Sequence, residues 1–222
     1  VTSTVPIILD DLSKRYGTRV LWQGLSATLN PGEIAAVTGP SGSGKSTLLN
    51  AIGLLENASA GRILVGDHDL TRLRFGQARR FRRDTLGYLF QNFALVGSAT
   101  ASTNIRLGLV RSPGRELLTR SIGAALERVG LAGRERTPVF QLSGGEQQRV
   151  ALARLIVKNP RIILADEPTA SLDAGNEKLV LDVLRERTAE GAIVLIATHS
   201  AALAAAADRT LTLAPPAGIS RG

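Results

Sequence analysis

The chain has no cysteine among its 222 residues, so it carries no disulfide framework and no cysteine-based zinc site. A chain of this length buries a core without such staples, and the missing thiols fit a reducing compartment. Aromatic side chains make up only 4% of the sequence, too few for a platform on which nucleic-acid bases stack. Long apolar runs are missing too. Ile193 to Ala197 and Ala201 to Ala207 fall far short of the roughly 20 residues that cross a bilayer. The first residues lack a basic start followed by an apolar stretch, so no secretory leader is expected. No Gly-Ser or Pro-rich linker interrupts the interior, and one domain over 1–222 is expected, ending in a frayed tail from Pro215 to Gly222. Lysine is scarce: Lys14, Lys45, Lys158 and Lys178 are all there is, so the net charge of +8 rests on arginine. The densest cluster is Arg72, Arg74, Arg79, Arg80, Arg82 and Arg83. Its spacing predicts a solvated basic helix; a face toward lipid headgroups or a partner's acidic loop is the alternative.

What the chain does have is Gly39-Pro40-Ser41-Gly42-Ser43-Gly44-Lys45-Ser46, a complete G-x-x-x-x-G-K-[ST] string. It stands between Glu33–Thr38, which reads as a buried strand, and Ser46–Leu55, which reads as a helix start. Glycines let backbone N–H groups turn inward around phosphate oxygens, and the following helix adds the positive end of its dipole. Lys45 would reach the outer phosphates and Ser46 would take a position on Mg²⁺.

Downstream, Arg161-Ile162-Ile163-Leu164-Ala165-Asp166-Glu167 reads as a doubly buried strand with two carboxylates at its end. That is the edge of a parallel sheet where ligands collect. Asp166 suits Mg²⁺, and Glu167 can polarise an attacking water.

The pattern along the chain is mixed. Ile7 to Leu29 reads as antiparallel strands, with Arg62–Val65 and Leu86–Phe90 as further strands. Phe93 to Lys158 turns helical, notably at Glu116–Val129 and from Gly144. Beyond Pro160, strands and helices alternate, which means a parallel sheet covered on both faces. His68 reads as a turn residue. Leu142-Ser143-Gly144-Gly145-Glu146-Gln147 is a serine-capped helix start with half the equipment for a γ-phosphate: it has no lysine and no metal-binding acid of its own.

Taken together, the ordered motifs resemble the ATPase subunit of an ATP-binding-cassette (ABC) transporter over nearly the whole chain. Tyr16 matches the family's adenine-stacking aromatic, and Gly39 to Ser46 its Walker A loop. Gln91 matches the glutamine that links Mg²⁺ and water to the membrane partner. Leu142 to Gln147 matches the signature, Ile162 to Asp166 Walker B, and Glu167 the catalytic glutamate. Ser171-Leu172-Asp173 matches the D-loop and His199 the switch histidine. The resemblance narrows to the macrolide-efflux, lipoprotein-release, bacteriocin- and haem-export branch through Gly53-Leu54-Leu55-Glu56, Gly87 to Phe93 and Ala165 to Thr169. Ala170, where glycine is frequent, and Ser200, where aspartate is usual, depart from the branch at positions that carry no chemistry.

The resemblance implies an α/β P-loop NTPase with a RecA-like parallel-sheet core, an N-terminal antiparallel β section and an inserted helical section at about 91–158; the β section and core would occupy 1–90 and 159–222. It implies Glu167, His199, Lys45 and Gln91 as catalytic, and Ser46, Gln91 and Asp166 as Mg²⁺ positions. Nucleotide contacts would come from Tyr16, Gly39, Ser41, Gly42, Ser43, Gly44, Lys45, Ser46 and Thr47, with Ser143, Gly144, Gly145 and Asp173 reaching the nucleotide of a second copy in a head-to-tail dimer. ATP and Mg²⁺ are the expected cofactors. A transmembrane permease on a separate chain is the expected partner, at the cytoplasmic membrane face, with no nucleic acid. The rival is a soluble ABC ATPase acting on DNA or ribosomes. No N-K-x-D string reads guanine. The segment from Gln91 to about Leu109 is expected to form an apolar groove for the permease around Phe93, Leu95 and Val96; the alternative is that these residues pack into the helical section.

Overall fold

A computed structural model describes residues 5–109, 115–169 and 174–214. In chain order come β1 (Ile7–Tyr16), β2 (Arg19–Leu29), β3 (Ile34–Thr38), α1 (Lys45–Ile52), β4 (Ala60–Val65), β5 (His68–Asp69), α2 (Phe75–Asp84) and β6 (Leu86–Leu89). Then follow α3 (Ala101–Leu107), α4 (Arg115–Arg128), α5 (Gly144–Lys158), β7 (Ile162–Asp166), α6 (Ala174–Ala189), β8 (Ile193–Ala197), α7 (Ala201–Ala205) and β9 (Arg209–Thr212). Two sheets result: four antiparallel strands in the order β2-β1-β4-β5, and five parallel strands in the order β6-β7-β8-β3-β9.

The parallel sheet explains the apolar runs. Along β7, Ile162 and Leu164 face one core while Ile163 and Ala165 face the other. Along β8, Ile193, Leu195 and Ala197 alternate with Val194 and Ile196 in the same way. Successive side chains point to opposite faces, so a strand covered on both sides must be apolar throughout. One core joins the sheet to α1 and the antiparallel strands; the other joins it to α3, α4, α5 and α6. Each fully buried Leu or Ile there contributes about 1.5–3 kcal/mol by leaving water.

In β1, Ile7 and Leu9 keep the two-residue period, but Leu12 is out of phase. The strand accommodates this with an irregularity between Leu9 and Leu12, where Asp11 takes φ 48°. One extra residue re-aims Leu12 inward.

Helix α5 is bounded by its own sequence. The Ser143 hydroxyl accepts from the Glu146 amide at 3.2 Å, and the Glu146 carboxylate accepts from the Ser143 amide at 2.8 Å. This reciprocal pair satisfies two donors at the helix start. At the other end Asn159 turns left-handed at φ 50°, and Pro160 cannot continue the helix.

Three local expectations change. His68 is not in the turn: it pairs with Val65 and forms a two-residue edge strand, because Gly66 at φ 57° makes the turn instead. The arginine cluster is not one helix. Arg72 closes a single 3₁₀ turn over Leu70–Arg72 capped by Asp69, Leu73 is extended, and α2 begins only at Phe75. Phe90 lies beyond β6, since the chain turns at Gln91 and passes through left-handed Phe93 (φ 62°) and Ala94 (φ 47°) before α3. Arg154 holds that turn by donating to the Phe93 and Ala94 carbonyls at 2.9 and 2.8 Å.

Candidate active site

Parallel pairing brings the ends of β3, β7, β8 and β6 to one edge. Val37 lies opposite Ala197, Asp166 opposite Ala197, and Leu89 opposite Ala165. The residues just past those ends are therefore neighbours: the 39–46 loop, Glu167, His199 and Gln91. They line a cleft of about 730 Å³ together with Tyr16, Arg19, Thr47 and Thr169. That volume is within the range of small-molecule sites.

The loop needs its glycines where it makes its closest approaches. A Cβ on Gly39 (φ 145°) would meet the Leu213 carbonyl oxygen at 2.6 Å and Ser43 Oγ at 2.8 Å. A Cβ on Gly44 (φ 91°) would meet Trp22 Nε1 at 2.8 Å. Trp22 Nε1 also donates to the Gly44 carbonyl at 3.4 Å, so the indole braces the loop from below. Ser43 is fully buried, and its hydroxyl has no hydrogen-bond partner among the described residues.

Lys45 Nζ lies inside the loop, donating to the carbonyls of Gly39 and Pro40 at 3.1 and 3.2 Å. It is 2.9 Å from His199 Nε2. Ser46 Oγ donates to Asp166 Oδ1 at 2.9 Å, joining the first turn of α1 to the end of β7. Burial pushes the Asp166 carboxyl above its ordinary range, against the lowering effects of the Ser46 hydrogen bond and the Lys45 charge.

Glu167 takes φ 45°, a left-handed conformation that a side chain rarely adopts. Its Oε2 accepts from the His199 amide at 3.3 Å, and its Oε1 lies 3.6 Å from His199 Nε2. Oε1 is buried and makes no hydrogen bond among the described residues. A carboxylate oxygen in that state is ready to accept a proton or a hydrogen bond from a small molecule in the cleft.

Tyr16 is exposed at the end of β1. Its hydroxyl is hydrogen-bonded to Glu56, and Lys14 Nζ stands 4.6 Å from its ring centre. Lys14 also pairs with Glu56 at 2.7 Å. Gln91 is exposed at the cleft wall.

The residues expected to serve a second copy's nucleotide stand apart from this cleft. Ser143, Gly144 and Gly145 are absent from the described lining of the cleft and stand instead at the start of α5. Asp173, with Ser171 and Leu172, lies outside the described residues. Conversely, Trp22, Arg19 and Gln148 support the site without any sequence motif that marks them. Arg19 Nη2 donates to the Gly42 carbonyl at 3.3 Å. The Gln148 amide, on α5, donates to the Pro168 carbonyl just after Glu167. For Arg19 and Trp22 the signal was position alone: a cation and an aromatic on the strand that follows Tyr16.

A groove opens along part of the segment 91–109, including Val96, but Phe93 and Leu95 do not line it. Its volume is about 320 Å³, and it is lined by Leu55, Arg82, Tyr88, Phe90, Ala94, Val96, Leu107, Arg154 and Lys158. Phe93 and Leu95 face the core while Ala94 and Val96 stay exposed.

The model of the ABC transporter family matches residues 22–170. The chain is 40% identical over 219 residues to the pyoverdine export ATP-binding/permease protein PvdT of Pseudomonas aeruginosa, covering 95% of this chain and 33% of that protein. It is 39% identical to the macrolide export ATP-binding/permease protein MacB of Hyphomonas neptunium, with 95% and 34% covered. The chain thus spans about one third of the length of these two relatives. It is 40% identical to the cell division ATP-binding protein FtsE of Escherichia coli, with 87% of both chains covered. Among solved structures, the dimeric ABC transporter cassette MJ0796 superposes with a TM-score of 0.86 at 32% identity over 94% of each chain. The same cassette bound to ADP and Pi gives 0.84 at 30% identity, over 93% of this chain and 94% of that one. The chain belongs to the ABC transporter family and has the fold of its ATP-binding cassette.

Proposed function

We propose that this cassette hydrolyses ATP to ADP and phosphate and drives a membrane permease. The observation that carries the reading is the convergence of Lys45, the Ser46–Asp166 pair, Glu167 and His199 on one cleft. In it, 1–222 works as a single ATPase unit. Lys45 and the amides of the loop and first α1 turn meet phosphate charge. Glu167 orients or deprotonates water through its unpartnered Oε1, and His199 takes the γ-phosphate side of the cleft. Tyr16 offers its exposed ring face to adenine.

The Ser46 hydroxyl and Asp166 carboxylate form a hard-oxygen pair with the chemistry of a Mg²⁺ site. Held there by Ser46 and Asp166, Mg²⁺ would neutralise phosphate charge. Burial of Asp166 disfavours its ionised form, so a cation there offsets a cost the fold carries. Hydrolysis of ATP is expected to fall to background on chelation with EDTA and to return on adding Mg²⁺. Full hydrolysis in EDTA would sink the reading. A colorimetric phosphate assay checks it.

The capped start of α5 lacks a lysine and a metal ligand of its own, which supports a head-to-tail dimer in which it completes the partner copy's cleft. The export names of two relatives support export or extraction of an amphiphilic cargo. Among the described residues no helix is long and apolar enough to cross a membrane, so the spans would come from a permease moiety, with the cassette at the cytoplasmic face.

The groove that holds Leu107 is the place for that moiety. Its apolar floor is edged by Arg82, Arg154 and Lys158, a combination suited to an amphipathic segment bearing an acidic residue. Leu107 is 66% exposed. Leu107→Glu should leave basal hydrolysis within about threefold, under about 1 kcal/mol of barrier. It should abolish assembly with the permease, because the new carboxylate would occupy the groove's cations and repel the acidic residue they are suited to meet. Normal assembly, read by co-purification from membranes, would move the docking surface elsewhere.

A further inference from the structure

Helix α2 buries none of its residues. Spacing of i, i+4, i+8 sets Phe75, Arg79 and Arg83 on one face, with Arg80 beside them. Phe75 is 80% exposed, the most open large apolar side chain among the described residues. Arg74, Arg79 and Arg80 make no ion pair among the described residues, whereas Arg72 and Arg83 are met by Asp69 and Asp84. A short convex helix therefore displays an aromatic ring at one end and several guanidinium groups, three of them unpaired, along it. A pocket of about 520 Å³ opens along one edge of the helix, lined by Gln77, Arg80, Phe81 and Asp84. Phe75, Arg79 and Arg83 stand outside it on the convex side, so that stripe fits an extended anionic plane better than a folded peptide.

We propose that the outer face of α2 is a contact surface for the anionic phospholipid headgroups of a membrane, with Phe75 entering the interface and Arg74, Arg79, Arg80 and Arg83 meeting phosphate charge. Guanidinium groups pair with phosphate in planar, forked geometry. Basic segments are drawn to anionic leaflets while an aromatic ring settles at headgroup level. The position agrees with this. Arg82, on the same helix, turns inward to the Leu54 carbonyl at 2.7 Å and lines the groove assigned to the permease. That face of the cassette is therefore the one turned toward the bilayer. The location rests on the permease reading; the charge and the exposed ring do not.

The test uses the purified chain and vesicles of phosphatidylcholine, alone or mixed with phosphatidylglycerol. Sedimentation should show binding to the mixed vesicles, weakened by salt, and little to phosphatidylcholine alone. Each arginine near an anionic surface contributes about fivefold in partition, so Arg79→Gln with Arg80→Gln should lower binding about 30-fold. Phe75→Ser should weaken binding in a way that salt does not alter. All three side chains are exposed, so melting temperatures and basal ATP hydrolysis should stay as in the unaltered chain. Lys45→Ala, which removes the phosphate-binding lysine, should still bind vesicles, separating this contact from the nucleotide reading. Retained binding in the double variant overturns the proposal, as does no preference for phosphatidylglycerol. Equal competition by free inorganic phosphate makes the site one for soluble anions, and equal competition by polyglutamate makes it one for acidic protein; either result also overturns it.

Discussion

Glu167→Gln should lower steady-state ATP hydrolysis by roughly 100- to 10,000-fold, the range a positioned acid–base group supplies. In barrier terms this is about 3 to 5 kcal/mol. The substitution keeps the shape and the hydrogen bond from the His199 amide but removes the negative charge. It acts on the one buried carboxylate oxygen in the cleft that no described group satisfies. ATP binding should persist, because Lys45, Ser46 and Asp166 are untouched. The variant should therefore accumulate as an ATP-bound dimer, visible as a mass increase by light scattering on adding ATP. Hydrolysis at the unaltered rate would remove Glu167 from the chemistry. A second outcome bears on the backbone. Glu167 sits at φ 45°, a conformation that costs of order 1–3 kcal/mol for such a residue. Glutamine has the same backbone preferences, so stability should not change, and any loss of rate is then a loss of charge.

How legible this was depends on the kind of interaction. The loop, the strand ending in Asp166 and Glu167, and the capped start of α5 are each written in consecutive residues. Local chemistry fixes them: glycine where φ is positive, four apolar residues where both faces are covered, serine and glutamate three apart at a cap. The meeting of the loop with the strand ending in Asp166 and Glu167 in one cleft followed from strand order in a parallel sheet, while the start of α5 stands apart from that cleft. What the sequence hid is set by contacts between distant segments. Trp22 braces Gly44 across the β2–loop boundary, and no period or motif announces that. Leu95 looks like a surface apolar residue but packs against the helical core, in a turn with two left-handed residues before it, neither of them glycine. His68 looked like a turn because the true turn residue, Gly66, is two positions earlier and the resulting strand has only two residues. The arginine run looks like one helix, since six arginines in a short span carry no boundary signal. The break comes from Asp69 capping a tight turn and Leu73 reaching inward to the core.

The largest rearrangement of function is expected from mixing two dead chains. Lys45→Ala removes the phosphate-binding lysine. Gly144→Asp places a carboxylate at the first position of α5, aimed at whatever the helix start would hold. Gly144 is the better site for this charge than Gly145. A Cβ at Gly144 meets nothing within 4 Å, whereas one at Gly145 would press on the Asn176 amide at 3.0 Å. An acidic residue also suits the first turn of a helix, so the Gly144→Asp chain should fold and bind ATP in its own cleft. It should fail only where its α5 must approach another copy's phosphates. Alone, each chain should lose at least about 100-fold in hydrolysis, by loss of a phosphate contact or by repulsion of it. Mixed, the lysine of one chain and the helix start of the other complete one cleft per mixed dimer. If the two clefts work independently, activity should recover to about one quarter of the unaltered chain, since half of the dimers are mixed and each holds one whole site of two. A strict requirement for both sites would suppress that recovery, so nucleotide binding gives the second readout. Mixed dimers should retain one tightly held ATP when Glu167→Gln is added to both chains. No recovery and no retained ATP would mean that Ser143, Gly144 and Gly145 do not complete a neighbour's site, and the head-to-tail arrangement would fall with them.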